Sequence, residues 1–418
     1  MTSRRQFIGG LAIAAGGLAA CSQVEGTGAG GGREGGGGTT AKRPANTGVT
    51  ALDATALEDA LVGSSYLGTG GGGSLSEARE LIATDLSEGH EFTLLSVNDL
   101  ADDDRVACPY GLASLAPISA DMQARLDRIK GDRAEPVQLA FETLEEQIDQ
   151  KFAAVILGEI GPLSLAEGLS IAARLGVPAL DADTVGRAVP EINQHSVKVA
   201  GIPLTPIGAA TPFGDQMIVG KLGDPTRAED ILRSIAVVSQ VCGVTDSPIT
   251  GAQAKAEGTL VTESFSLARS IGAAVRTAKD GGADPIEAAR VAGDGYLLFT
   301  GTVADFDWRD EDGFLVGTLT VAGTDDFAGQ RFSTAYKNEH LVARRNGKVV
   351  ATCPDLISVI DLQTHDGLNN PDFVQGQRVA VLGFRCDPIW RSEAGLKVFS
   401  PAYFGYDIDY VPIEERLG

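Results

Sequence analysis

Phe152-Ala153-Ala154-Val155-Ile156-Leu157-Gly158-Glu159-Ile160-Gly161 is the stretch on which the fold turns. Its apolar run is short enough for a buried strand, and it ends on a carboxylate flanked by glycines. Apolar residues then recur at helical spacing over 163–175 before Gly176 stops the helix. Val177-Pro178-Ala179-Leu180 makes a second short strand, which ends at Asp181-Ala182-Asp183. A strand, a helix and a strand over this length predict a parallel pair joined by a right-handed crossover. Ligands of such sheets bind beyond the carboxyl ends of the strands, where Glu159, Asp181 and Asp183 all fall.

The same alternation extends toward the N-terminus, with strands expected over 91–97 and 105–108 and helices over 51–62, 122–129 and 136–150. After the first of these helices comes Tyr66-Leu67-Gly68-Thr69-Gly70-Gly71-Gly72-Gly73-Ser74. Four consecutive glycines cost conformational entropy, so they belong where backbone turns at positive φ or approaches a ligand closely. Ser74 and Glu77 make a capping-box pair, which predicts a helix starting at Ser74. A glycine loop that opens a helix offers N–H groups and the positive end of the helix dipole to an anion. Gly68, Thr69, Gly70, Gly71, Gly72, Gly73 and Ser74 are therefore candidate anion- or oxyanion-binding positions. No Gly-Lys-Ser/Thr follows, and a helix rather than a strand precedes, so the loop is neither a Walker loop nor a dinucleotide fingerprint. A tight helix-to-helix connection with no ligand is the competing reading.

Glu159, Asp181 and Asp183, with Arg187 and Glu191 close by in sequence, support two chemistries. Clustered carboxylates raise one another's pKa, so one can act as general acid or base near neutrality. As hard oxygen ligands they can instead hold one divalent metal ion. Arg187 is suited to orienting a carboxylate or carbonyl. The plainer alternative is that the two aspartates cap the next segment while Arg187 pairs with Glu191. Cys108, Cys242, Cys353 and Cys386 match no zinc template and are expected mostly as buried free thiols. His90, His195, His340 and His365 are scattered, so there is no local metal motif.

Ser3-Arg4-Arg5-Gln6-Phe7 ahead of an apolar run over 8–20 reads as a twin-arginine export signal. Leu18-Ala19-Ala20-Cys21 resembles a lipoprotein cleavage box, with Cys21 as the lipidated residue. Residues 1–21 are thus expected as the signal and 22–50 as a Gly-rich flexible tether. The expected location is the outer face of the cytoplasmic membrane or the periplasm, reached by the twin-arginine route and held by a lipid anchor. A formal charge of −22 repels nucleic acid and anionic membrane surfaces. The expected partner is a small-molecule substrate, with membrane contact only through the anchor and self-association left open.

Beyond residue 205 the pattern changes. Residues 208–222 read as extended chain and 228–241 and 260–279 as helices, while Lys255 reads as a surface lysine. From residue 296 short alternating segments dominate, at 297–306, 314–321, 331–336, 341–344, 349–352, 378–382 and 397–399. Such spacing suggests a barrel or sandwich. The expected fold class is an α/β N-terminal domain with a partly parallel sheet over 51–205. A C-terminal domain of helices and a β-barrel or sandwich is expected over 206–418. Asn338 and Glu339, with His340, fall between two of the late strands, where a loop can close over the α/β site; a polar hairpin is the alternative.

Taken in order, residues 67–73, Glu159-Ile160-Gly161, 181–191, Lys337-Asn338-Glu339-His340-Leu341, Pro354-Asp355-Leu356-Ile357 and 405–412 resemble the signature blocks of the S-methyl thiohydantoin desulfurase-like family. The resemblance spans 52–414. It implies hydrolytic loss of a methylthio group from a small hydantoin-like ring at a site between the two domains. Many members carry a second glycine after Glu-Ile-Gly and an asparagine shortly afterwards; here Gly161 is followed by Pro162, Leu163 and Ser164. The alternative function is a membrane-tethered binding protein that captures a small anionic or heterocyclic ligand without turnover.

Overall fold

The computed structural model describes residues 47–113, 119–129 and 135–418. The twin-arginine segment, Cys21 and the tether up to residue 46 lie outside the described residues. Among the described residues no helix is long and apolar enough to cross a membrane.

Nine strands form the first sheet: β1 (Thr50–Ala51), β2 (Thr93–Leu95), β3 (Arg105–Ala113), β4 (Ala154–Leu157), β5 (Ala179–Asp183), β6 (Ile207–Ala210), β7 (Gln216–Val219), β8 (Val241–Thr250) and β9 (Val261–Thr262). Their order is β1-β2-β5-β4-β3-β8-β6-β7, with β9 added against β5. The centre, β2-β5-β4-β3, is parallel as the crossover pattern predicts, and the outer strands are antiparallel. Every residue of β4 is buried. Val155 and Leu157 enter the core on one face of the sheet, and Ala154 and Ile156 the core on the other. That burial on both faces is why the segment reads as a continuous apolar run. Strand β8 is not evident from the sequence pattern, because it too is buried along most of its length and carries polar residues, Thr245, Asp246 and Ser247, at fully buried positions. It inserts between β3 and β6, so this sheet takes strands from both sides of residue 205.

The second sheet is antiparallel and curls into a half-barrel rather than a sandwich. It comprises β10 (Tyr296–Glu311), β11 (Phe314–Gly323), β12 (Arg331–Lys337), β13 (Glu339–Arg345), β14 (Lys348–Thr352), β15 (Leu356–Asp361) and β16 (Arg378–Phe384), in the order β14-β13-β12-β11-β10-β16-β15. All six residues of β15 are buried, so it lacks the alternation that marks its neighbours. Residues 397–399, expected as a strand, instead finish the short helix Glu393–Val398. Ser392 starts that helix by accepting from Gly395 N, and Phe399 packs edge-on against Trp390.

Leu356, Ile360, Leu382 and Phe384 of the second sheet share one core with the helices Ala54–Leu67 and Ser264–Gly281. These two helices cross with their backbones almost touching. A Cβ on Gly63 would lie 1.7 Å from Ala268 O, and one on Gly272 would lie 1.8 Å from Asp59 O. Arg276 closes the crossing with a two-pronged ion pair to Asp59, at 2.7 and 2.8 Å. Gly272→Ala is therefore expected to cost about 1–3 kcal/mol of unfolding free energy. Gly281→Ala, on the same helix with nothing within 4 Å, is expected to be neutral or stabilising by about 0.5–1 kcal/mol. Denaturant unfolding of the two variants checks both; equal effects would mean that the crossing is not sterically tight.

Candidate functional site

A cavity of about 360 Å³ lies where β4 and β5 end. Gly71, Gly73 and Ser74 of the glycine loop, Cys108 and Tyr110 of β3, Leu163, Ser164 and Glu167 of the helix Pro162–Leu175, and Asn338 and Glu339 at the β12–β13 junction contribute to its wall. A wider, open groove of about 790 Å³ lies between the helix Ala120–Arg128 and residues such as Phe213 and Met217. None of the candidate residues reaches that groove.

The glycine loop is fixed mainly by backbone packing. A Cβ on Gly72 would stand 2.5 Å from the Cα of Gly161, and one on Gly68 2.4 Å from the same atom. Gly70 has φ +103° and bonds in both directions to the chain after β15, Gly70 N to Leu368 O and Asn370 N to Gly70 O, each 2.9 Å. The Thr69 hydroxyl is likewise engaged, donating to Leu368 O at 2.9 Å. Ser74 caps the helix Leu75–Ser87 by accepting from Glu77 N at 3.2 Å. Only Gly71, Gly73 and Ser74 of the loop face the cavity.

Glu159 follows β4 after Gly158. Its Oε1 accepts from Ser164 Oγ at 2.7 Å and its Oε2 from Val189 N at 2.9 Å. Burial pushes its carboxyl up to about 7, against the pull of these two bonds and of Arg187. Glu339 is 1% exposed, and its Oε2 has no hydrogen-bond partner. Burial, reinforced by Glu159, holds its carboxyl well above the usual carboxylate range. The other oxygen lies over Gly71, where a Cβ would stand 1.7 Å from it. Asn338, at φ +54°, makes the turn that delivers Glu339, and its Oδ1 accepts from Leu315 N at 2.9 Å. His340 points away from this site. It contacts Thr334, Tyr336 and Phe373, and burial drops its pKa to about 3.

Arg187 is buried behind the carboxylates. Its Nη1 donates to Pro354 O and Asp355 O, while Nη2 has no partner. Burial lowers its pKa, and Glu339 is the strongest opposing influence. Asp181 and Asp183 do not line the cavity. Asp181 accepts from Ser266 N and Ser266 Oγ, at 3.0 and 2.6 Å, at the start of the helix Ser264–Gly281. Asp183 accepts from Val185 N and Gly186 N, while burial pushes its pKa up to about 8. Glu191 does line the cavity, but it pairs with Lys337 at 2.5 Å and accepts from Tyr403 OH at 2.6 Å rather than bonding Arg187. Lys255 lies elsewhere, on Asp102 and Leu100 O.

Five further residues, none of them read as a site residue from the sequence, belong to the cavity and its surroundings. Glu167 accepts from Gly111 N at 3.3 Å, and burial pushes it up to about 7. Tyr110 OH donates to Asp246 Oδ2 at 2.8 Å. Cys108, His195 and Asp246 are all buried, with one ligand atom from each lying within 4.8 Å of the others. Long sequence separations and the unread strand β8 hide this grouping. The four cysteines in the described residues are free thiols, three buried and Cys386 partly so.

Residues 55–221 match the family described as S-Me-THD-like, N-terminal domain, and residues 223–413 match S-Me-THD-like, C-terminal domain. A crystal structure of a protein from Chromobacterium violaceum is similar, with a TM-score of 0.66 and 26% sequence identity over 87% of this chain and 100% of that one. No curated protein matches the chain.

Glu167 provides a test of the cavity's electrostatics. Its folded-state pKa lies above the ordinary carboxylate value, so folding favours the protonated form. That contribution is fully present below about pH 4.5 and is lost as pH rises through about 7. Glu167→Gln is expected to remove on the order of 1–3 kcal/mol from the stability lost between pH 5 and pH 8. Chemical denaturation at both pH values measures it, and an unchanged difference would show that Glu167 ionises as it does in water.

Proposed function

Because the chain belongs to the S-Me-THD-like family, we propose that it is a hydrolase that removes a methylthio group from a small hydantoin-like ring in this cavity, between the two halves of the chain. The observation that carries the reading is the pair Glu159 and Glu339. Both carboxyls are pushed upward by burial beside one cavity, Glu159 to about 7 and Glu339 well above the usual carboxylate range. Such a pair supplies a base and an acid at the same pH.

In this mechanism Glu159 takes a proton from a water that attacks the ring carbon bearing sulfur. A C–O bond forms, the C–S bond breaks, and protonated Glu339 delivers its proton to the departing sulfur. The second proton of the water passes from the new oxygen to the ring nitrogen, so methanethiol leaves and a ring carbonyl beside an N–H remains, and the proton on Glu159 returns to Glu339 through water. Ser164 and Val189 N aim Glu159. The N-terminus of the helix Leu75–Ser87, behind Ser74, offers partial positive charge to the ring nitrogen, and the carbonyl conjugated with it, that take up negative charge during attack. Ser164 thus holds the carboxylate in a place where many family members differ in sequence.

A binding protein for an anion fits less well. The cavity wall carries the carboxylates of Glu77, Glu159, Glu167, Glu191 and Glu339 against the single guanidinium of Arg233. A neutral ring with N–H donors suits that wall better. Twin-arginine export and a lipid anchor at Cys21 complete the proposal and would place the activity outside the cytoplasm.

With Glu159 as the base, kcat/KM for an S-methyl thiohydantoin is expected to rise about tenfold per pH unit below the Glu159 pKa of about 7 and to level off above it. Glu159→Gln is expected to lower kcat roughly 100- to 10,000-fold and to erase that rising limb. Steady-state kinetics between pH 5 and 9 checks both. Wild-type kinetics in the variant would remove Glu159 from the mechanism.

A further inference from the structure

We propose that Cys108, His195 and Asp246 form a metal site at the base of the cavity for a borderline-soft divalent cation, Zn²⁺. The inference stands independently of the hydrolase reading. Cys108 on β3 and Asp246 on β8 are directly paired across an antiparallel ladder, so their side chains project side by side from one face. A β-bulge adjoins the pair between Val106 and Cys108. Ser247, next to Asp246, is a non-glycine residue at φ +52°, a conformation that costs about 1–3 kcal/mol and concentrates at functional sites. His195 arrives from the residue before the helix Ser196–Val199, where Ser196 N bonds Thr184 O at 2.8 Å and Ser196 Oγ bonds Thr259 O at 2.7 Å.

The orphaned atoms distinguish a metal site from a hydrogen-bonded cluster. His195 Nε2 and Asp246 Oδ1 are 3.3 Å apart, yet neither has a hydrogen-bond partner. They approach one another without the alignment of a bond. Two ligand atoms at zinc–nitrogen and zinc–oxygen bond lengths on a tetrahedral ion are separated by roughly 3.3 Å. A thiol–imidazole–carboxylate relay would set the thiol and carboxyl on opposite ring nitrogens. Here sulfur, nitrogen and oxygen converge, all within 4.8 Å of one another.

The second carboxylate oxygen, Asp246 Oδ2, is held by Tyr110 OH, the outer support expected of a metal-binding carboxylate. A mixed sulfur, nitrogen and oxygen set disfavours Mg²⁺ and Ca²⁺, which take oxygen ligands. Cys108 and His195 also line the cavity, so a fourth position faces it. There the ion would polarise a donor atom of a bound molecule.

Elemental analysis of the full chain after equilibration with zinc is expected to find about one Zn²⁺ per chain. The cobalt-substituted chain is expected to show a thiolate-to-cobalt absorption band. Cys108→Ala should abolish that band. His195→Ala should bind zinc at least about 100-fold more weakly, and Tyr110→Phe about 10- to 100-fold more weakly, with folding checked by circular dichroism. Should the first two variants fail to fold, the cobalt band of the wild type and the Tyr110→Phe affinity decide. A folded wild-type chain that takes up no zinc, or undiminished zinc in folded Cys108→Ala and His195→Ala, would overturn the site. Turnover is scored separately: zinc without hydrolysis would overturn the hydrolase reading alone, and hydrolysis by a chain unable to bind zinc would overturn the metal site alone.

Discussion

The contact between Gly72 and Gly161 is the constraint on which the rest of the site depends. With a Cβ on Gly161, that atom would lie 2.3 Å from the Cα of Gly72, so no other residue fits without moving one backbone. Leu163 N bonds Gly72 O at 3.0 Å across the same contact. The glycine loop is thereby fastened to the end of β4, and its bonds to Leu368 and Asn370 fasten it to the second sheet as well. Three parts of the chain distant in sequence meet there, and the meeting places Glu339 over Gly71 and opposite Glu159.

Desolvation dominates the electrostatics that result. Glu159, Glu167, Asp183 and Glu339 are all pushed upward by burial before any neighbouring charge acts. Arg187 opposes the effect at Glu159 and Glu339 without bonding either carboxylate. Hydrogen bonds then separate the two: Glu159 keeps a hydroxyl and a backbone amide, while one oxygen of Glu339 has no partner. That difference in partners is what sets base apart from acid in the proposed hydrolase, on a wall where both residues are carboxylic acids.

Much of the α/β architecture was legible from residues 152–183, because strands buried on both faces and a helix ended by glycine leave local marks. The helix start at Ser74 and the placement of Glu159 at a strand end were legible for the same reason. Strands β8 and β15 were not, since continuous burial hides the alternation on which strand reading relies. Asp181 and Asp183 looked like partners of Glu159 because they share its strand-end position. Which backbone amides they meet, Ser266 for one and Val185 and Gly186 for the other, is set by chain packing that no spacing reveals. Cys108, His195 and Asp246 carried no signal, because their grouping depends on the register of β3 against β8.

The most direct measurement on the central claim is isotopic. The full chain is incubated with an S-methyl thiohydantoin in oxygen-18 water and the products are analysed by mass spectrometry. One oxygen-18 atom is expected in the new ring carbonyl, with an equal amount of methanethiol. Recovery of the compound unchanged, bound in the cavity with no thiol released, would contradict it.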